Sequence, residues 1–340
     1  MMKAVRLFGK NDLRLVEIPK PTPKAGEVLI KVGGAGVCHS DIHVMEQDLP
    51  EGHVFTLGHE NAGWVEELGE GVTGLNKGDA VIVYGPWGCG HCSPCQKSEE
   101  NYCQHQPELP ALGGGLGLDG GMAEYMIVPS SRLLVKLDDL DPAKVAPLTD
   151  AALTPYHAIK RSQQKITPSS FVLAIGIGGL GHVGVQILKN LYNATVIAGD
   201  IADDKLELAK SYGADYVIRT DQVDAYDKIR AITGVKGCDV VLDFVGAKPT
   251  LDLSSRVVAL NGDLTVIGLS GGEMSVTELP FGAQTCIPFW GSRTELLEVL
   301  DMQRRGIINV KTTQYPLEDF AKVYELMHKG QLEGRAVLIP

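Results

Sequence analysis

The sequence predicts an α/β protein of two domains, the first mostly β-stranded and the second built around a doubly wound parallel sheet. Its length of 340 residues exceeds what a single hydrophobic core normally holds. Short alternating strands separated by Gly, Pro and Asp turns dominate residues 1–150. From residue 151 onward, strands alternate with helices, which is typical of a parallel sheet covered on both faces.

The individual elements follow from hydrophobic periodicity. In the first part, strands are predicted at 28–32, 63–68, 80–84 and 123–128. In the second part, they are predicted at 171–175, 195–198, 216–218, 240–244 and 264–267, with helices that include 150–160 and 204–212. The apolar run 286–290 is typical of an edge strand of the second sheet.

The C-terminal segment departs from this alternation. It carries an amphipathic helix at 295–304 and a final strand at 335–339. Because that strand is isolated, we expect it to return to the first domain. The sequence therefore predicts a first domain of residues 1–150, which residues 291–340 rejoin, and a second domain of residues 151–290.

Composition excludes several classes of function. Hydrophobic residues make up 44% and charged residues 21%, as in soluble globular proteins. A net charge of −11 disfavours nucleic acid as a partner, because phosphates favour a basic face. No run approaches the ~20 apolar residues that span a bilayer, and the N-terminus shows no signal-peptide core. We expect a cytoplasmic protein without membrane or nucleic-acid partners.

A glycine-rich motif lies between the first predicted strand and helix of the second domain. Its residues are Gly176, Ile177, Gly178, Gly179, Leu180 and Gly181. The first glycine permits a tight turn, the second lets the backbone approach a pyrophosphate, and the third allows close packing of helix on strand. The helix N-terminus adds free N–H groups and a positive dipole. A purely structural turn is the alternative.

An aspartate at the end of the next strand indicates which dinucleotide binds. Asp200 stands nineteen residues after Gly181, where a carboxylate would accept hydrogen bonds from both ribose hydroxyls. It would repel a 2′-phosphate, and Asp203 and Asp204 would add to the repulsion. No arginine follows Asp200 to receive such a phosphate. We therefore expect NAD rather than NADP.

Four of the seven cysteines fall within fifteen residues. Their spacing, Cys89-x2-Cys92-x2-Cys95-x7-Cys103, suits a closed tetrahedral site for a structural zinc ion. The last spacing does not fit the common ferredoxin patterns of iron–sulfur clusters. His91 and His105 are expected to be bystanders, since four sulfurs already suffice, and free structural thiols are the alternative.

Further metal ligands cluster near two predicted loop starts, at Cys38 and His59. A catalytic zinc normally takes three protein ligands and a water or substrate, so a third ligand must come from elsewhere in the chain. Taken singly, Cys38 would more often be a small buried hydrophobe and His59 a core histidine.

The segments Gly36–Ser40 and Gly58–Glu60, the four cysteines and the glycine motif together resemble the zinc-containing medium-chain dehydrogenase family. The resemblance covers essentially the whole chain in the same order. It implies a GroES-like first domain and a Rossmann second domain. It also implies reversible hydride transfer between NAD and a primary or secondary alcohol, as in bacterial members of the family.

The resemblance supplies the remaining metal ligands. The family takes its third ligand just before the cofactor domain, usually from cysteine and in some members from aspartate, and Asp150 occupies that position. Alone, Asp150 could equally cap the following helix. Glu60 is implied as an outer carboxylate or an exchanging fourth ligand. Two zinc ions per chain are therefore expected, and the catalytic one would act as a Lewis acid on the alcohol oxygen.

Proton transfer and cofactor contacts are also carried over from the family. Ser40 would take the alcohol proton and relay it through the cofactor ribose to His43, although His43 could be an ordinary loop histidine. The positions implied to contact the cofactor outside the glycine motif are His39, Thr154, Gly268, Leu269, Ser270 and Arg335. Trp87 and Trp290 are candidates for apolar pocket walls, although either could be core.

The resemblance further implies a homo-oligomer, and we expect a homotetramer. Within the same family, a polyol or sugar dehydrogenase is the nearest alternative and would suit Glu60, whereas a zinc-free quinone reductase would not need the cysteines. A zinc-binding interaction module of another class would leave the glycine motif unexplained.

Overall fold

The computed structural model of the chain describes residues 1–332 and 334–340. It groups into two compact units. The first unit comprises Met1–Asp150, Ser292–Leu300 and Val310–Pro340, and the second comprises Ala151–Gly291 and Asp301–Asn309.

Residues 301–309 belong to the second unit, whereas the sequence interpretation assigned all of 291–340 to the first. Hydrogen bonds within the second unit explain this difference. The backbone N–H of Asn309 donates to Gln186 over 2.8 Å, and the Gln186 amide donates back to the Asn309 carbonyl over 3.0 Å. Asn190 likewise donates to the carbonyl of Ile307 over 2.6 Å.

The described residues contain sixteen strands and ten α-helices, numbered along the chain. The strands are β1 Met2–Leu7, β2 Leu13–Ile18, β3 Val28–Val37, β4 Phe55–Thr56, β5 Glu60–Leu68, β6 Ala80–Val83, β7 Tyr125–Val128, β8 Leu134–Lys136, β9 Phe171–Ile175, β10 Thr195–Asp200, β11 Tyr216–Arg219, β12 Cys238–Asp243, β13 Val258–Val266, β14 Gln284–Cys286, β15 Thr312–Pro316 and β16 Arg335–Ile339. The helices are α1 His39–Met45, α2 Ser93–Gln96, α3 Pro142–Val145, α4 Leu153–Arg161, α5 Gly181–Ile187, α6 Asp203–Ser211, α7 Ala225–Thr233, α8 Lys248–Val257, α9 Arg293–Arg304 and α10 Phe320–His328.

The first unit is built from two largely antiparallel sheets. One has the order β2-β1-β4, and the other has the order β15-β16-β3-β5-β6-β8, with β7 also paired to β3. The C-terminal strand β16 lies beside β3, with Ala336 opposite Val37. Helix α1 packs Ile42 and Met45 into the core of this unit. This packing holds the segment directly after β3 in place.

The second unit is a parallel sheet of six strands in the order β11-β10-β9-β12-β13-β14. Counted from its first strand, this is the order 3-2-1-4-5-6 of the doubly wound dinucleotide-binding fold. The central strand β9 has nearly every side chain buried, as expected for a strand covered on both faces. The predicted fold class, a mostly-β domain followed by a doubly wound parallel sheet, is confirmed.

Two predicted element boundaries were wrong. The edge strand predicted at 286–290 lies at Gln284–Cys286, because Pro288 lacks an N–H and Trp290 takes a left-handed φ of 55°. The helix predicted to begin at Asp150 begins at Leu153, because Asp150 itself has φ −132° and ψ −60°.

Within residues 1–332 and 334–340, no helix is both long and apolar enough to cross a membrane.

Gly63 in β5 provides a test of the packing in the first unit. A Cβ atom at this position would lie 2.0 Å from the carbonyl oxygen of Lys31, on the backbone of the paired strand β3. Because that backbone cannot move aside without breaking the ladder, Gly63→Ala should lower the free energy of unfolding by about 3 kcal/mol. Gly9→Ala is the control, since nothing lies within 4 Å of its added Cβ. Urea denaturation of both variants checks this, and equal stabilities would contradict the structure.

Candidate functional site

Cys38 stands at the end of β3, immediately before α1. Its backbone N–H donates to Oδ2 of Asp41 over 2.9 Å, which anchors the first turn of the helix. Its buried thiol lies 3.5 Å from Oδ2 of Asp150 and 3.6 Å from Oγ of Ser40. The Cys38 sulfur, at the junction of β3 and α1, therefore lies close to Ser40 of α1 and to Asp150, which is distant in the chain.

His59 lies just before β5 and is 2% exposed. Its Nδ1 is 3.0 Å from Oδ1 of Asp41, and its Nε2 is 3.9 Å from Oδ2 of Asp150. Burial lowers the pKa of His59, but the carboxylate of Asp41 raises it, and the net pKa lies well above the ordinary value. Because Asp41 engages Nδ1, the opposite ring nitrogen is directed toward Asp150, as in carboxylate–histidine–metal arrangements.

Glu60 begins β5 opposite Gly36 of β3 and is fully buried. Its Oε1 accepts two hydrogen bonds from Arg335, at 3.0 and 2.6 Å, whereas its Oε2 has no hydrogen-bond partner among the described residues. A Cβ on Gly36 would lie 1.9 Å from that oxygen, so glycine makes room for the carboxylate. Burial raises the pKa of Glu60 to about 8, against the opposing effect of the Arg335 guanidinium.

Asp150 follows a short turn, Ala146–Thr149, rather than starting a helix. The hydroxyl of Thr149 donates to the carbonyl of Val83 over 2.7 Å and ties this turn to β6. Oδ2 of Asp150 accepts a hydrogen bond from Arg335 over 2.9 Å. The side chain thus lies between the Cys38 thiol and the Arg335 guanidinium.

These residues form a compact donor cluster. One ligand atom from each of Cys38, His59, Glu60 and Asp150 lies within 4.8 Å of the other three. Thiolate, imidazole and carboxylate are the donors that zinc takes in proteins, and Oε2 of Glu60 is a buried oxygen without a partner. The donor set therefore fits a zinc ion.

Arg335 is the residue whose surroundings differ most from the expectation. The resemblance implied a contact with the cofactor, but its guanidinium is 4% exposed and pairs with Glu60 and Asp150. The cofactor contact stays a prediction. Asp41 is not among the site residues predicted from the sequence. The signal that could have revealed it is a carboxylate three residues after Cys38, at the start of a helix.

The remaining polar residues near Cys38 lie on α1. His39 and His43 are exposed, and Ser40 is half-buried beside the Cys38 thiol. The helix therefore presents a hydroxyl next to the donor cluster.

The four cysteines form a separate cluster on a loop that includes α2. Their sulfur atoms lie within 4.8 Å of one another. The Cys89 and Cys95 sulfurs are 3.9 Å apart, as are those of Cys92 and Cys103. Although desolvation opposes it, N–H groups from Cys95 and Gln104 lower the pKa of Cys92 to about 6. Such a cluster has the geometry of a closed tetrahedral metal site.

Arg132 supports the segment that carries Cys89. Its guanidinium donates to the carbonyl of Gly88 and pairs with Glu100 over 2.7 Å. A Cβ on Gly88 would lie 2.6 Å from the sulfur of Cys95, so this position must be glycine for the loop to close.

The glycine motif joins β9 to α5 in the second unit. Gly176 has φ 89°, in the region that favours glycine. A Cβ on Gly181 would lie 2.0 Å from the carbonyl of Gly176, whereas nothing lies within 4 Å of one on Gly178. The turn therefore needs glycine at its two ends and is open in its middle, where a phosphate group would approach. Gly179 and Leu180 complete the turn before α5.

Asp200 ends β10 next to this turn. Its carboxylate accepts hydrogen bonds from the backbone N–H groups of Ile177, Ile201 and Ala202, at 2.7, 2.7 and 3.0 Å. No arginine closely follows Asp200 in the chain, but the sheet register places Arg219 of β11 directly opposite it. Arg219 pairs with Asp203 and Asp221 at 3.0 and 2.7 Å.

Other predicted residues are placed as follows. Thr154 is buried in α4, and Gly268, Leu269 and Ser270 follow β13, with Leu269 largely exposed. Trp87 is buried in the first unit, where its indole N–H donates to the carbonyl of Tyr84 over 3.1 Å. Trp290, in the second unit, is buried and stacks edge-on with Phe289.

An apolar cavity of about 330 Å³ lies within the first unit. Its lining includes Val44, Leu49, Phe55, Leu109 and Leu116, and it therefore starts beside the C-terminal end of α1. Trp87 is not among the described residues that line it.

Comparison with known proteins gives the chain its family. The "alcohol dehydrogenase GroES-like domain" family matches residues 24–139, and the "zinc-binding dehydrogenase" family matches residues 179–302. The chain is 36% identical to the NAD-dependent alcohol dehydrogenase of Sulfurisphaera tokodaii over 100% of both sequences. It is 33% identical to the D-arabinose 1-dehydrogenase (NADP(+)) of Saccharolobus solfataricus, over 97% of this chain and 95% of the relative.

A solved structure agrees with these relatives. The alcohol dehydrogenase of Aeropyrum pernix superposes with a TM-score of 0.89 at 35% sequence identity, over 99% of this chain and 100% of the other. The superposed region includes residues of both units. The chain belongs to the zinc-containing medium-chain dehydrogenase/reductase family.

Proposed function

We propose that the protein is a zinc-dependent alcohol dehydrogenase that moves hydride reversibly between NAD and a primary or secondary alcohol, or the matching aldehyde or ketone. The observation that carries this proposal is the buried cluster of Cys38, His59, Glu60 and Asp150 beside a serine hydroxyl. The same chain contains a glycine turn suited to a dinucleotide.

The ligands of the catalytic ion would be Cys38, His59 and Asp150, with Glu60 as an exchanging fourth ligand. Three anionic donors and the guanidinium of Arg335 leave a net charge of two negative units, which one divalent zinc ion neutralises. Arg335 therefore offsets part of the charge of the two carboxylates that are buried together. When bound, zinc would supply Lewis acidity toward the alcohol oxygen, and NAD would accept the hydride.

The chain's own residues would move the proton. The hydroxyl of Ser40 lies next to the Cys38 thiol, close enough to the donor cluster to accept the alcohol proton. His43, three residues further along α1, is exposed and would release the proton to solvent. We propose these two residues as the proton path.

The cysteine cluster would hold a structural zinc ion through Cys89, Cys92, Cys95 and Cys103. Four thiolates saturate a tetrahedral ion and leave no position for substrate. Reduced thiols persist in the cytoplasm, and this requirement supports the proposal that the protein works there.

NAD would lie on the glycine motif, with Asp200 receiving the adenosine ribose. Its carboxylate is already oriented by three backbone N–H groups. We propose that His39, Thr154, Gly268, Leu269, Ser270 and Arg335 supply the remaining cofactor contacts.

We also propose Trp87 and Trp290 as pocket walls and a homotetramer as the assembly. Edge strand β14 supports association, because Phe281 and Ile287 on either side of it are 92% and 72% exposed.

A sugar dehydrogenase is the second candidate. The 33% identity to a D-arabinose 1-dehydrogenase favours it, as does the carboxylate of Glu60 within the metal cluster. The proposed pocket walls Trp87 and Trp290 favour an alcohol, because indole rings offer few partners to sugar hydroxyls.

Asp150 provides the test of the catalytic ion. Asp150→Ala should lower turnover at least about 10³-fold, because Lewis-acid stabilisation worth several kcal/mol is lost. Zinc content should fall from about two ions to about one per chain. Asp150→Cys should restore the second ion and part of the turnover. Metal analysis and steady-state kinetics on the same samples check this.

Asp48→Ala is the matched control, since the Asp48 side chain is 93% exposed. It should leave both zinc content and turnover unchanged. An Asp150→Ala protein that kept two zinc ions and normal turnover would rule out the proposed ligand set.

A substrate panel separates the two candidate functions. Oxidation rates with NAD on 2-butanol, benzyl alcohol and a sugar alcohol should favour the two apolar alcohols, because the proposed pocket walls Trp87 and Trp290 are apolar. A higher kcat/KM for the sugar alcohol would establish the second candidate instead.

Asp200 provides the test of cofactor choice. Asp200→Asn should shift the ratio of kcat/KM for NADP over NAD by roughly 100-fold toward NADP, because like-charge repulsion of several kcal/mol is removed. Arg219, opposite Asp200, is the cation that would then pair with the 2′-phosphate, in place of its partners Asp203 and Asp221. Removing Arg219 in the Asp200→Asn background should abolish the gain, and an unchanged ratio in Asp200→Asn would contradict the assignment.

A further inference from the structure

Two histidines lie at the surface of the four-cysteine cluster and have no part in the proposed function. His91 follows Cys89 by two residues, and His105 follows Cys103 by two residues. Their ring centroids are 5.3 Å apart, with the ring planes inclined by 39°. His91 is exposed, and His105 is half-buried with 41% of its side chain accessible. The two imidazoles are therefore adjacent in space, although fourteen positions separate them in the chain.

A sulfur atom completes this pair. One ring nitrogen of each histidine and the sulfur of Cys89 lie within 4.8 Å of one another. Cys89 is half-buried, whereas Cys92, Cys95 and Cys103 are 7%, 6% and 7% exposed. It is therefore the cysteine of the cluster whose sulfur can be reached from the histidine side. Two imidazoles and a thiolate are a ligand set that zinc takes with one open position.

Each histidine has a hydrogen-bond acceptor beside its Nδ1. Nδ1 of His91 lies 3.1 Å from the carbonyl oxygen of Cys89, and Nδ1 of His105 lies 3.0 Å from a carboxylate oxygen of Glu108. Both partners only accept, so these contacts suit a ring that donates from Nδ1 and offers Nε2 to a metal ion. A carboxylate or carbonyl behind a metal-binding histidine is the usual outer contact.

Charge favours a second cation at this place. Four thiolates around one zinc ion leave two negative charges on the cluster. Arg132, which donates to the carbonyl of Gly88 beside the cluster, does not cancel them, because its guanidinium is paired with Glu100. A thiolate sulfur has further lone pairs after binding one zinc ion, so Cys89 can bridge to a second.

We propose that the lobe binds an additional zinc ion at its surface, held by His91, His105 and the bridging thiolate of Cys89. The proposal depends on the proposed structural zinc in one respect, which is that Cys89 would be a ligand of both ions. Glu108 acts as a positioning residue, since it orients His105 without touching the ion.

Cobalt titration of the zinc-loaded enzyme tests this site. The protein is dialysed against metal-free buffer, its zinc content is measured, and CoCl2 is then added. One cobalt ion per chain should bind while both zinc ions are retained, and a thiolate-to-cobalt charge-transfer band should appear in the near ultraviolet. His91→Ala and His105→Ala should each abolish binding of this ion without loss of zinc. Glu108→Gln should weaken it roughly tenfold.

His53→Ala is the matched control, because His53 lies outside the cluster and contacts the ring of Phe55. It should bind cobalt as the unaltered protein does. The proposal would be overturned if the protein bound no further ion. It would also be overturned if cobalt bound without the charge-transfer band, because the ion would then be held by the two histidines and not by the thiolate of Cys89. Zinc content before titration tests the proposed function and the cobalt count tests the outer site, so the two can fail separately.

Discussion

The buried guanidinium of Arg335 is the constraint on which the catalytic cluster depends. Glu60 and Asp150 are carboxylates in a nearly water-free position, and two unpaired buried anions would be costly by several kcal/mol each. Arg335 donates to both, so one cation serves both carboxyl groups, although burial still raises the pKa of Glu60 to about 8. The arrangement is stable as a network, and removal of the cation would leave both carboxylates unpaired.

This requirement also explains the path of the chain. Arg335 begins β16, the strand that pairs with β3 in the first unit. The same strand β3 ends at Cys38, and its neighbour β5 begins at Glu60 opposite Gly36. The C-terminal strand therefore contributes both a β-ladder and the counter-charge of the site. A chain that ended before β16 would lose the two together.

Asp41 has a comparable role on the other side of the cluster. Its carboxylate contacts the backbone of Cys38 and the ring of His59, so one side chain positions two proposed ligands. Without its carboxylate charge, residue Asp41 would no longer anchor the first turn of α1 or hold the His59 ring in its orientation. The cluster is thus held by outer contacts on both sides, from Asp41 and from Arg335, and neither residue needs to bind the ion.

The features that the sequence determined by itself are those encoded within short stretches of chain. The four cysteines lie within fifteen residues, and the glycine motif with Asp200 lies within one β–α–β unit, so spacing alone predicts their chemistry. Alternation of strands and helices likewise predicted the parallel sheet. In each case the residues that act together are close in sequence, and local geometry brings them together.

Tertiary structure alone decided which distant residues meet. Arg335 lies 275 positions from Glu60, and nothing in the chain near either residue indicates that they pair. Arg219 was overlooked for the same reason, because only the register of two strands places it opposite Asp200. Asp150 could be found through family resemblance, but its turn conformation contradicted the helix that local periodicity predicted. Hydrophobic periodicity reflects local structure along the chain, whereas strand pairing and buried charge determine which distant residues come into contact.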